Sequence, residues 1–276
     1  MFENYVEQIR KNKPIVHCIT NYVTVQDCAN VLIAGGGAPI MADDKNEVED
    51  IVSIANALVL NIGTLNQRTI ESMVLAGKKA NDLGIPVLLD PVGTGASKLR
   101  TDTTMLLLDQ IQFTVIKGNI SEIKTIVHGQ GTTKGVDADQ QDLSFASSNL
   151  HQMIEMAQKL ANRTKSIITI TGETDLVVNA NTSYVLRNGD PMMGSITGSG
   201  CMLSAIIGMY CGGSLPQDYL KAAAFATALF GICGEIAAAK TEEAQRGTGS
   251  FRTALIDEMS LVTYDTFQRK LHYEVS

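Results

Sequence analysis

Short apolar runs at 15–19, 39–41, 57–61, 85–90, 113–117 and 166–171 alternate with longer segments in which apolar residues recur every three or four positions. The runs are apolar at consecutive positions, as a strand buried on both faces requires, and the longer segments carry the period of amphipathic helices. Phe2, Val6 and Ile9 predict a short opening helix stopped at Lys13-Pro14, and 25–34 predicts a second, stopped by Gly35-Gly36-Gly37. Further helices are expected behind an Asn46 cap, from Asn66 to a stop at Gly84, near 119–127, and over 144–161. Alternation of this kind implies a parallel sheet with helices on both faces. The segments 175–178 and 183–187 predict a hairpin around Asn179-Ala180-Asn181-Thr182, which would make one edge antiparallel and the sheet mixed. Beyond Gly198 the chain reads as almost entirely helical, with alanine-rich packing faces over 222–239.

Composition narrows the picture. The chain has 276 residues, 45% of them hydrophobic, and no linker-like stretch, so one α/β domain spanning 1–276 is expected. A net charge of −7, with no cluster of Lys and Arg, argues against a nucleic-acid partner and favours a small molecule. Five cysteines without a C-x-x-C pair fit reduced thiols in a cytoplasmic protein. The N-terminus does not read as a signal peptide, and no run approaches the ~18 uninterrupted apolar residues of a membrane span.

In such a sheet ligands bind beyond the carboxyl ends of the strands, and four of those ends are polar. They are Asn61-Ile62-Gly63-Thr64, Leu89-Asp90-Pro91-Val92-Gly93, Lys117-Gly118-Asn119 with Glu122 a turn later, and Thr171-Gly172-Glu173. A second feature is Thr197-Gly198-Ser199-Gly200-Cys201, a glycine-rich turn opening a helical segment. Unpaired N–H groups in the first turn of that helix, added to its dipole, suit an anion such as a transferring phosphoryl group, and the same field would draw the Cys201 thiol toward neutrality. Asp90 and Glu122 have the chemistry to hold Mg²⁺, alone or through water; equally, each suits a purely local role, Asp90 in a turn before Pro91 and Glu122 at a helix N-terminus. The stretch from Gly93 to Lys98 lacks the third glycine of a dinucleotide fingerprint, and 129–135 lacks the Gly-Lys-Ser/Thr of a P-loop. His17, His128, His151 and His272 show no metal spacing, and His17 reads as a satisfied core residue.

Together these residues resemble the hydroxyethylthiazole kinase family of the ribokinase-like superfamily, over nearly the whole chain. The most specific pieces are His17-Cys18-Ile19-Thr20-Asn21 with Thr24 and Ala29-Asn30, Pro39-Ile40-Met41-Ala42, and 58–65. To these are added 89–96, Lys117-Gly118-Asn119 with Glu122, 197–201 and Gly247-Thr248-Gly249-Ser250-Phe251. The resemblance implies a three-layer α/β/α fold and transfer of the ATP γ-phosphoryl group to the primary alcohol of 4-methyl-5-(2-hydroxyethyl)thiazole. It implies that Met41 and Gly198 contact the thiazole, that Lys117, Thr171 and Asn119 belong to the ATP site, and that Asp90 and Glu122 organise Mg²⁺. The backbone from Gly198 through Gly200 to Cys201 would form the anion hole, with Cys201 where sugar kinases of the superfamily carry an aspartate base. A homotrimer is implied as well, with Asn21, Gly63 and Thr64 near an interfacial substrate site. The family usually has arginine at the Lys117 position; lysine keeps the charge and loses the planar fork. Two other classes fit parts of the pattern. One is a cysteine-nucleophile transferase or hydrolase, which lacks a partner histidine; the other is a silent nucleotide-binding module, which would not need both carboxylates.

Overall fold

The computed structural model describes residues 2, 4–129 and 147–276. Its elements run α1 (Tyr5–Asn12), β1 (Ile15–Ile19), α2 (Val25–Gly35), β2 (Ala38–Ile40), α3 (Val48–Ile54), β3 (Ala57–Asn61), α4 (Gln67–Asp82) and β4 (Val87–Asp90). There follow α5 (Lys98–Gln110), β5 (Val115–Asn119), α6 (Ile120–His128), α7 (Ser147–Thr164), β6 (Ile167–Thr171), β7 (Asp175–Val178) and β8 (Ser183–Leu186). A 3-10 turn at Pro191–Ser195 leads into α8 (Ser199–Gly212), α9 (Tyr219–Glu243), α10 (Thr248–Leu261), α11 (Tyr264–Lys270) and β9 (Tyr273–Val275).

The strands form one sheet in the order β2-β1-β3-β4-β5-β6-β7-β8-β9. Every pairing from β2 to β6 is parallel, and those from β6 to β9 are antiparallel. Alternate residues of each central strand enter opposite cores. Val16, Cys18, Val59 and Leu88 pack with Met202, Phe225 and Phe251 on the side of α8 to α10. Ile19, Leu58, Leu60 and Leu89 pack with Val52, Met73, Leu107 and Ile123 on the other side. Both faces of the central strands are therefore covered, which is why apolar residues stand at consecutive positions along them.

Several local expectations shift. Asn46 does not cap α3: Glu47 occupies that position, and the Asn46 backbone and side-chain amides donate to Asp44 Oδ1, each at 2.9 Å, so the competing turn wins. Helix α5 and strand β9 add to the expected elements, while the stretch 129–135 past Gly129 and the first residues of the helix expected from 144 lie outside the described residues. The segment Pro216–Glu243 has the length and composition of a membrane span, yet 83% of its apolar window is buried inside the protein, which makes α9 a core helix. Helix α8 is buried from Met202 to Cys211, pressed against the sheet so closely that a Cβ at Gly208 would stand 2.5 Å from Val59 Cγ2. That packing fixes where the first turn of α8 points.

Candidate active site

The parallel register puts the polar strand ends side by side, with Asn61 opposite Asp90 and Asn119 opposite Thr171. Over them stands the N-terminus of α8. Gly198 caps it at φ 88°, a left-handed conformation that glycine adopts without strain, and a Cβ there would meet Thr24 Cγ2 at 2.6 Å. Thr24 itself begins α2, so two helix N-termini converge at this point. The first bond of α8 runs from Met202 N–H to Gly198 O, leaving the amides of 199–201 ahead of the helical ladder.

A continuous polar network joins the turn to the sheet. Asn61 Nδ2 donates to Asp90 Oδ2 at 2.7 Å and to Cys201 Sγ at 3.3 Å. Asn21 Nδ2 donates to Asn61 Oδ1 at 3.0 Å and to Cys201 Sγ at 3.3 Å. Ser204 Oγ donates to Asp90 Oδ2 at 2.7 Å, and Lys117 Nζ donates to Gly200 O at 3.0 Å while lying 3.8 Å from Asp90 Oδ1. Gly63 N–H donates to Asn61 Oδ1, and Thr64 Oγ1 accepts from Tyr22 N–H, which seats that loop beside Asn21. Asp90, Cys201, Gly200, Lys117, Asn21 and Gly63 thus meet at one rim.

Glu122 joins the rim through its neighbours. Its Oε1 accepts from Gly93 N–H and its Oε2 from Asn119 N–H, both at 2.8 Å, while Asn119 Oδ1 accepts from Glu122 N–H in a reciprocal cap. Burial, and then the negative charge of Asp90, push the Glu122 carboxyl up to about 7. Asp90 is 1% exposed; burial raises it, with Lys117, Ser204 and Asn61 pulling the other way. Burial by itself lowers the Lys117 ammonium, but the Asp90 charge and then Cys201, Glu122 and Asp175 outweigh it and keep Lys117 protonated. Burial and the Asp90 charge also raise the Cys201 thiol above its ordinary value, against the expectation that the helix N-terminus draws it toward neutrality. The thiol is protonated at neutral pH.

Two buried carboxylates, one of which raises the other, are a donor set that suits a divalent cation completed by water and phosphate oxygens. Among the described residues no group of three or more Asp, Glu, His or Cys could enclose a metal by itself. The arrangement fits Mg²⁺ brought with a polyphosphate rather than a metal held in an all-protein cage.

A cavity of about 520 Å³ opens beside the α8 turn, lined by Thr171, Gly172 and Asp175 on one side, Ser199, Gly200 and Leu203 on another, and Phe230 and Met193 beyond. Thr171 faces this cavity, whereas Lys117 and Asn119 do not line it: Lys117 lies beneath the Gly200 turn and Asn119 caps α6. Met41 follows β2 at the sheet edge, two strands from β3, where His17 Nε2 meets the carbonyl of the adjoining Ala42 at 2.8 Å. A cavity of about 550 Å³ before β5 and β6, lined by Phe113 and Arg163 among others, contains none of these candidates.

Three further residues shape the site. Ser204 lies one helical turn beyond Cys201, a spacing that places both on one face of α8. Asp175 lines the cavity with its carboxyl raised to about 7 by burial, and its Oδ1 accepts from Gly172 N–H at 3.0 Å. Arg100 donates to the carbonyls of Ile62, Gly63 and Val92, tying the loops after β3 and β4 together. Such contacts to backbone carbonyls leave no spacing signal in the sequence.

The fold is of the ribokinase-like kind, with an anion-ready helix turn beside two buried carboxylates. A ribokinase-like superfamily protein from Enterococcus faecalis aligns with TM-score 0.62 at 12% identity over 91% of this chain and 88% of its own, a likeness of fold. The model of the "Hydroxyethylthiazole kinase family" matches residues 6–265, and the chain belongs to that family. It is 48% identical over 274 residues to hydroxyethylthiazole kinase of Clostridium acetobutylicum, covering 99% of each chain. It is equally 48% identical to that of Alkaliphilus oremlandii, over 96% of this chain and 94% of the relative. The solved hydroxyethylthiazole kinase of Pyrococcus horikoshii superposes with TM-score 0.86 at 31% identity, covering 99% of this chain and 97% of that one.

Proposed function

We propose that this protein, as one domain spanning 1–276, transfers the γ-phosphoryl group of ATP to the primary alcohol of 4-methyl-5-(2-hydroxyethyl)thiazole, in the cytoplasm, as a step of thiamine salvage. The observation that carries the reading is the convergence of Cys201 and Asp90, joined through Asn61, on the first turn of α8, whose Ser199 and Gly200 line the cavity. ATP occupies the cavity beside Thr171, with its terminal phosphates toward Ser199 and Gly200. Lys117 supports that end from beneath, through Gly200, and Asn119 through the α6 cap that fixes Glu122. The thiazole sits on the other side of the turn, against Met41, Asn21, Gly63, Thr64 and Gly198.

Transfer forms a bond between the alcohol oxygen and the γ-phosphorus and breaks the bond to the β–γ bridging oxygen, releasing ADP. Charge on the moving phosphoryl group falls at the amides of 199–201, where preorganised donors stabilise it without rearrangement. Because the transition state is loose, the alcohol needs little deprotonation at the start, and a neutral thiol suffices to orient it. Cys201 holds the hydroxyl in line, steadied by Asn21 and Asn61, and the hydroxyl proton leaves late with the phosphorylated product. Asp90 and Glu122 would hold Mg²⁺, which when bound offsets phosphate charge. The partners of the thiol are amides and a nearby carboxylate rather than an imidazole, which weighs against a cysteine nucleophile.

The test is ATP consumption by the purified protein with hydroxyethylthiazole, hydroxymethylpyrimidine or pyridoxal as acceptor. Turnover is expected with the thiazole alcohol at a kcat/KM at least about tenfold above either alternative. A preference for either of the others, or no turnover with any, would refute the assignment.

A further inference from the structure

The segment 188–194, between β8 and α8, forms one wall of the cavity, and α9 forms the wall beside it through Thr227, Phe230 and Gly231. Glu235, one helical turn beyond Gly231, fastens the two. Its Oε1 accepts from Asn188 Nδ2 at 2.8 Å and from Gly189 N–H at 3.1 Å. Buried Asn188 is tied on its other side to the C-terminal stretch, Nδ2 donating to Lys270 O at 2.8 Å and Oδ1 accepting from His272 N–H at 2.9 Å. The Lys270 ammonium stands 3.9 Å from Glu235 Oε2. On the α9 side there is no room to spare: a Cβ at Gly231 would lie 2.6 Å from Asn188 O, and one at Gly234 would lie 2.4 Å from Met193 Sδ. Glycines therefore let the wall approach α9, and Glu235 keeps it from drawing away.

The cavity has two chemically different ends. Ser199 and Gly200 offer backbone donors that suit phosphate, whereas Met193, Leu203 and Phe230 offer apolar surface that suits a base and sugar. The fastened wall belongs to the second end. We propose that Glu235 is a positioning residue for the nucleotide, acting through Asn188 and Gly189 to hold the wall against which the nucleoside part of ATP rests. This inference rests on the reading of the cavity as the ATP site.

Steady-state kinetics of the full chain test it. Glu235→Ala leaves the Gly189 N–H without its acceptor, so the KM for ATP is expected to rise about tenfold, with the KM for hydroxyethylthiazole and kcat within about twofold of wild type. Inhibition by inorganic tripolyphosphate, which lacks a nucleoside, is expected to be unchanged. Glu235→Gln presents an amide oxygen to the same two donors and is expected to bring the ATP KM back to within about threefold of wild type. Glu235→Asp, one methylene shorter, serves if the alanine variant does not fold, and is expected to raise the same KM about threefold. Equal losses for ATP and tripolyphosphate, a fall in kcat at unchanged KM, or no recovery with glutamine would overturn the inference. Wild-type protein that consumes no ATP with hydroxyethylthiazole would instead overturn the reading beneath it. An active wild type with an unaltered ATP KM in the alanine and aspartate variants would overturn this inference alone.

Discussion

At the scale of single residues, the proposed mechanism separates a group that orients from groups that carry charge. Cys201 is held by two amides and raised in pKa, so little thiolate is present at neutral pH, whereas Asp90 anchors Asn61, Ser204 and Lys117 at once. Cys201→Ser is accordingly expected to keep kcat within about 10²-fold of wild type, the low end of what a full general base contributes. Asp90→Ala is expected to lose about 10³-fold or more, and single-turnover rates would show the gap; equal and complete loss in both variants would contradict the division of roles. Glu122 gives a pH signature. Its pKa is raised from 4.5 to about 7 in the folded chain, so between those values the native state binds more protons than the unfolded one, and stability falls as pH rises through that window. Relative to Glu122→Gln, which does not titrate there, wild-type protein in chelator is expected to lose urea stability from pH 4.5 to 7 and to level off above. A flat difference across that window would show that the carboxyl is not so displaced. The candidate residues at strand ends were legible because sheet topology alone places them at a rim. The displaced thiol was not, because burial beneath Asn21, Asn61 and Asp90 depends on side chains more than a hundred residues away in sequence.

At the scale of elements, apolar runs marked the six parallel strands, most plainly β1, β3, β4, β5 and β6, which are covered on both faces; edge strand β2 is only partly buried. Helix α5 had no such mark. Its buried positions Thr103, Thr104 and Leu107 include two threonines, so its inward face does not read as apolar in the sequence. Strand β9 is three residues long and, among the described residues, pairs only with β8; it is too short for a periodic pattern. Helix α8 is the element on which the site depends, since its seating on the sheet aims Gly198 to Cys201. Gly208→Ala would gain about 1 kcal/mol of helix propensity. The Cβ would also press on Val59, and overpacking of this kind costs about 1–3 kcal/mol. A net loss of stability is therefore expected, read as a lower urea midpoint at unchanged slope; a stabilised protein would mean that α8 has slack against β3.

At the scale of the whole molecule, one sheet carries two separate cores, and the polar site occupies the seam where the carboxyl ends of the strands meet the helix starts. Beside that seam Tyr22 is 78% and Val23 56% exposed, next to the loop that holds Thr64. Apolar side chains so placed suit burial against another copy of the chain, as the homotrimer implied by the family resemblance would require. Light scattering is expected to give three chain masses, and Tyr22→Glu is expected to yield smaller species with a weakened KM for the thiazole. A monomer that remains active at nanomolar concentration would rule the trimer out.

The last strand also governs how the protein meets its own kind. With β9 in place, the backbone of β8 is paired along both sides, Ser183 exchanging hydrogen bonds with Ser276 and Arg187 N–H donating to His272 O. Chain shortened before Tyr273 would bare a row of β8 amides and carbonyls beside buried Val185 and Leu186, an adhesive margin open to any strand in reach. Four C-terminal residues thus act as a seal against aggregation, on the margin of the sheet farthest from β2.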